Sequence, residues 1–232
     1  LFSYGGALPD KGLALGTGTG DLFVQTANAG QVNLVNSSGV TLSFWDGGIA
    51  ANHDNGRIEG GSGAWSLGTR NWTDANGALN GPMQPVPGFA VFQGNGSTVT
   101  IDNGAGQVGA TGMQFAVSGY TLAGGALALS GEQAIVRVGD GTAAGAGIGA
   151  TIASALTGAA ALVKTDLGTL TLTGANSYAG GTIVQAGTLI GNAASIRGNV
   201  QNAGTVVFDQ AGNASFAGTT GGAGGYVKSG AG

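Results

Sequence analysis

Short runs in which every second residue is apolar recur along the chain, each closed by Gly, Asn or Asp. Asp21-Leu22-Phe23-Val24-Gln25, Val40-Thr41-Leu42-Ser43-Phe44 and Thr98-Val99-Thr100-Ile101-Asp102 are early examples. Ala134-Ile135-Val136-Arg137-Val138, Thr169-Leu170-Thr171-Leu172-Thr173 and Thr205-Val206-Val207-Phe208-Asp209 continue the series. A period of two with turn residues at both ends predicts strands that bury one face. Gly125-Ala-Leu-Ala-Leu-Ser-Gly131 reappears as Gly168-Thr-Leu-Thr-Leu-Thr-Gly174, and Leu162-Val-Lys164-Thr reappears as Tyr226-Val-Lys228-Ser. Gly168, Gly187 and Gly204 each precede a strand and are spaced by 19 and 17 residues, the length of one solenoid turn.

Such a turn leaves its inner face wet when alone and dries it by stacking on an equivalent turn, so the pattern predicts a parallel β-helix of ten to twelve coils at about 20 residues each. A β-sandwich would also show many short strands, but Asn55-Gly56, Asn76-Gly77 and Asn95-Gly96 do not sit between two alternating runs as hairpin turns would. Residues 45–90 hold all three Trp, the single His and every Pro but Pro9, and are read as an irregular loop and hairpin excursion. Ala143 to Ala161, rich in Ala, leaves room for a short helix. The abrupt stop at Gly232 after Lys228 is read as truncation within a repeat.

Composition sharpens this picture. Gly supplies 50 of 232 residues, while only 8% are charged and Cys is absent. Few helix formers with strong charge and many turn residues favour an all-β chain, and 42% apolar residues suffice for a sizeable core. A net charge of -4 with seven scattered Lys and Arg provides no field for phosphates, so no nucleic-acid partner is expected. Without Cys there is neither a disulfide framework nor a thiolate metal site, and the longest apolar stretch, Ala150 to Val163, is too short for a membrane helix.

Gly168, Leu170, Leu172, Gly174, Asn176, Tyr178, Gly180, Gly181, Thr182, Val184, Gly187 and Leu189 occupy every patterned position of the passenger-associated transport repeat, and the window they span resembles that repeat of autotransporter proteins. Trp65, Asn71-Trp72, Ala90-Val91-Phe92, Gly119-Tyr120-Thr121-Leu122 and Leu162-Val163-Lys164 extend the resemblance over roughly residues 60 to 190. It implies a right-handed single-stranded parallel β-helix exported across the outer membrane to the bacterial surface through a C-terminal β-barrel of the same polypeptide. It further implies a structural stalk that assists secretion of an adhesin-like or virulence factor, with a host-surface protein or glycan as partner.

Other chemistry is weighed against that reading. Trp45, Asp46, His53, Asp54 and Arg57, with Glu59 nearby, are the densest polar group and the candidate ligand patch, set against a solvated loop. A polysaccharide lyase or glycosidase would need carboxylates and bases converging on one sheet, for which Asp102, Arg137 and Asp140 are the candidates, although Asp at strand ends commonly shapes turns. Gly145-Ala-Gly147-Ile-Gly-Ala150 followed by Asp166 imitates a dinucleotide fingerprint without its βαβ setting, so no nicotinamide or nucleotide cofactor is expected. One His and no HExxH provide no His-based metal centre, and neither catalysis nor a cofactor is assigned.

Overall fold

A computed structural model describes residues 2–3, 22–25, 31–36 and 41–232. From Leu42 onward the strands, Trp72–Thr73 and Asn80–Gly81 excepted, form a parallel β-helix. One sheet stacks Leu42–Trp45, Gly88–Phe92, Gly109–Phe115, Gln133–Val138, Ala161–Thr165, Thr182–Val184, Val200–Asn202 and Thr220–Gly221. A second stacks Gly63–Trp65, Thr98–Ile101, Tyr120–Gly124, Gly149–Ile152, Thr169–Leu172, Thr188–Gly191, Thr205–Asp209 and Gly225–Ser229. Leu127–Leu129 branches from the first sheet, pairing with Gly109 and Ala110 on one side and with Leu156–Thr157 on the other; this branch is a third face, which the chain continues by hydrogen bonds from Ser177 N–H to Leu156 O and from Asn176 N–H to Ala194 O.

The register shows why these residues stack. Val99, Leu122, Ile152 and Leu172 are successive partners in the second sheet, as are Leu170, Leu189 and Val206; all seven are buried. Each inward Leu, Ile or Val withdrawn from water stabilises the stack by roughly 1.5–3 kcal/mol, and the polar residues between them, Thr169 and Thr171 among them, point outward. The steps from Leu170 to Leu189 to Val206 to Tyr226 are 19, 17 and 20 residues. The step from Leu122 to Ile152 is 30, because that coil also carries the short 3-10 helix Ala143–Gly147.

Eight coils are present among the described residues, where ten to twelve are predicted. The expectation spanned all 232 residues, and two coils among the described ones are long: the fourth, and the first, in which residues 46–87 lie between the first and second rungs of the first sheet and give only Gly63–Trp65 to the second. Strands Phe2–Ser3, Gln31–Asn36 and Leu22–Gln25 pair antiparallel with one another and join neither long sheet.

The two self-similar pairs of segments fall on different faces. Leu127–Leu129 lies on the third face and Thr169–Leu172 in the second sheet; Leu162 lies in the first sheet, whereas Tyr226 stacks on Val206 in the second. Every face asks for the same alternation of buried and exposed residues, so local likeness reports strand character and not position around the coil. The positions of the corners carry that information. Gly168, Gly187, Gly204 and Gly224 do repeat in space, each preceding a ladder position, and are joined by Thr188 N–H to Gly168 O, Thr205 N–H to Gly187 O and Gly225 N–H to Gly204 O.

Candidate functional site

The polar residues of the repeat join one coil to the next. Asn176 is buried on the third face, where its Oδ1 accepts the Leu156 N–H at 2.7 Å and its Nδ2 donates to Ser195 O at 2.7 Å. One side chain thereby satisfies backbone groups of the coil before and the coil after. In a low-dielectric interior either group left unpaired would cost about 1–3 kcal/mol.

Tyr178 and Thr182 make a second staple. Thr182 Oγ1 donates to Arg197 O at 2.8 Å, so its contact with the Tyr178 hydroxyl at 2.8 Å has Tyr178 as donor. The same hydroxyl accepts the Arg197 N–H at 3.1 Å. Both side chains are buried, and burial raises the Tyr178 pKa, keeping the phenol protonated as the network requires.

Lys164 is the third staple, and it points inward. Its neighbours along the ladder, Val136 and Val184, are both buried, and Lys164 itself is 0% exposed. The ammonium donates to Thr165 O at 2.9 Å and Asp166 O at 2.8 Å at the corner of its own coil, and to Ala186 O at 3.2 Å on the next. Burial pulls its pKa down to about 8, with the Asp166 carboxylate opposing. Lys164 was legible as a cation in an apolar run, and counting alternate residues from buried Leu162 places it inside.

The remaining repeat residues shape the path. Leu170, Leu172, Val184 and Leu189 fill the core. Gly187 turns a corner at φ +67°, where a Cβ would also meet Gly168 O at 2.4 Å. Gly180 packs so closely on the previous coil that a Cβ would lie 2.3 Å from Ala161 N. Gly168 and Gly174 face neighbouring backbone in the same way, and Gly181 shares a turn with Gly180. The corner after Lys164 is held by Asp166 at φ +66°. Burial alone would raise the Asp166 pKa, but hydrogen bonds from Arg137, Leu167 N–H and Gly141 N–H outweigh it and hold the carboxyl below the usual range.

The five residues of the candidate ligand patch do not share a surface. Trp45 and Asp46 are buried: the Trp45 indole donates to Gly61 O at 2.8 Å, and Asp46 accepts Glu59 N–H at 2.8 Å and Asn80 Nδ2 at 2.9 Å. His53 is half-buried against Gly47 O, while Asp54 and Arg57 are exposed. Trp45 therefore offers no platform, because its apolar area is spent in the core. Asp102 and Asp140 bond their own turns, at Gly104 N–H and Thr142 N–H, and Arg137 pairs with Asp166 at 2.9 Å. The Gly145-to-Ala150 stretch runs from the short 3-10 helix into strand Gly149–Ile152. Among the described residues no three His, Asp or Glu side chains gather to hold a metal, and no helix is long and apolar enough to cross a membrane.

Residues 162–190, which hold all three staples, match the family model described as Passenger-associated-transport-repeat. Over 197 residues, 82% of this chain, the sequence is 44% identical to the Adhesin BmaC autotransporter of Brucella suis biovar 1 (strain 1330). The aligned part is 6% of that relative's own length. No solved structure matches the chain. A parallel β-helix stapled by this repeat, together with that identity, makes the chain a member of the autotransporter passenger family, exported across the outer membrane to the bacterial cell surface.

Proposed function

We propose that this segment is a secretion-assisting stalk of an adhesin-like surface protein, with the repeat as the lock between arriving coils. The single observation that carries the reading is Asn176, which bonds the preceding and following coils at once. In a solenoid each coil contacts only its neighbours, so stability accumulates coil by coil. A coil that locks onto its predecessor outside the membrane buries apolar area that opposes backsliding of the chain. In this reading the C-terminal β-barrel of the parent polypeptide is the segment's working partner, and host protein or glycan recognition belongs to the parent surface protein. A structural rather than catalytic role is supported by the turn-bound carboxylates Asp102 and Asp140, and a stalk rather than a ligand platform by the burial of all three Trp.

The test is surface display of the parent polypeptide carrying Asn176→Ala, scored by protease accessibility on intact cells. Display is expected to fall severalfold while the barrel still inserts. Undiminished display from a segment shown in vitro to be destabilised would remove the secretion role.

A further inference from the structure

We propose that residues 66–82 form a strap that closes the N-terminal end of the solenoid to strand addition, so that no coil from the preceding chain or from a second copy stacks there. Throughout the two long sheets, strands of the described residues pair in parallel, with one exception. On the outer edge of Leu42–Trp45, where a preceding coil would lie, Trp72–Thr73 pairs antiparallel, and Asn80–Gly81 pairs antiparallel to that in turn. A chain that folds back antiparallel occupies the edge without offering the register a further coil needs.

The edge of the second sheet is sealed by side chains. Ala64 O, on the side of Gly63–Trp65 away from the next coil, accepts Asn71 Nδ2 at 2.8 Å and Thr69 Oγ1 at 3.0 Å. The Ser66 N–H donates to Thr69 Oγ1 at 3.2 Å. The open end of the core is plugged as well: Trp72, 2% exposed, sets its ring edge-to-face on Trp45 at 5.1 Å and on Trp65 at 4.8 Å.

The strap has an outer edge of its own, and an ion pair closes it. Asn80 N–H donates to Asp54 Oδ1, Asn80 O accepts Arg70 Nε at 3.2 Å and Nη2 at 2.9 Å, and Arg70 and Asp54 meet at 3.5 Å. The backbone groups through which another strand would pair are thus held by charged side chains, a device that keeps edge strands from joining other chains. Consistently, the strands ahead of Leu42 pair with one another and with neither long sheet.

Two measurements on residues 1–232 decide the matter. In the unaltered chain the Asp46 amide donates to Asn71 O across the strap, as the Ala116 amide does to Phe92 O between interior coils. A closed strap predicts hydrogen exchange at Asp46 within about tenfold of Ala116; exchange faster by several orders of magnitude would overturn the proposal. The second measurement uses Asp54→Ala/Arg70→Ala, two exposed side chains whose loss leaves the Trp core in place, as the near-UV Trp signal will verify. Sedimentation is expected to find the unaltered chain monomeric and the double variant self-associating with rising concentration. A folded double variant that stays monomeric over the same range would also overturn it, and loss of the Trp signal returns the decision to the exchange comparison.

Discussion

The coils between Ala161 and Asp209 and the first two rungs at Leu42 to Ile101 bury comparable ladders, yet they seal them differently. In the former, neighbours do the sealing: coils of 17 to 20 residues present matching edges, aliphatic residues fill the interior, and Asn176, Thr182 and Lys164 bridge corners where a backbone group would be unpaired. At the N-terminal end there is one neighbour fewer. The chain supplies the missing half with an antiparallel fold-back, a cluster of Trp45, Trp65, Trp72 and Phe92, and polar side chains on bare strand groups. Repetition suffices only where both neighbours exist; an end requires residues unlike the repeat.

The greatest loss is expected from Trp72→Ala, which empties the plug and should cost about 3–5 kcal/mol. Because coupling runs between neighbours, hydrogen exchange should accelerate across 42–101 and far less across 161–209. Uniform acceleration over both regions would show that the end and the repeat are one cooperative unit. Next is Asn176→Ala, which orphans Leu156 N–H and Ser195 O and should cost about 2–4 kcal/mol by denaturant titration. Here protection should be lost from coils on either side of residue 176 and retained around Trp45; the opposite distribution would remove Asn176 as a staple.

A third effect, confined to the repeat coils, concerns Lys164. Burial lowers its pKa from the ordinary 10.5 to about 8. Between those values the unfolded chain holds the proton more tightly than the folded one, so stability should rise with pH across that window. Lys164→Met should abolish the rise, and a difference between the two proteins that is flat from about pH 7.5 to about pH 11 would mean that the three carbonyls keep the buried ammonium at its ordinary basicity.

Much of the solenoid was readable from alternation and from Gly168, Gly187 and Gly204, since period two and corner spacing are local properties of a chain. Leu170 and Leu172 are inward as their pattern requires. The face on which a segment lies was not readable, as Leu127–Leu129 and Thr169–Leu172 demonstrate, because all faces impose one pattern. The group at Trp45 to Arg57 looked like a polar patch because its residues are close in sequence; their partners Asn80, Arg70 and Gly61 lie farther along the chain. Asn176 stood out as a motif position, but its partners Leu156 and Ser195 lie 20 and 19 residues away and became identifiable only once the coils were stacked.

The linear chain was enough for strand character, for the 19- and 17-residue corner spacing after Gly168 and for membership of the repeat family, each a consequence of spacing between nearby residues. Tertiary structure alone decided that Trp45 and Asp46 lie inside, that Lys164 bridges two coils, and that a fold-back closes one end. Those outcomes turn on which backbone groups remain unpaired after stacking, and an unpaired group exists only relative to a neighbour that the linear chain does not specify.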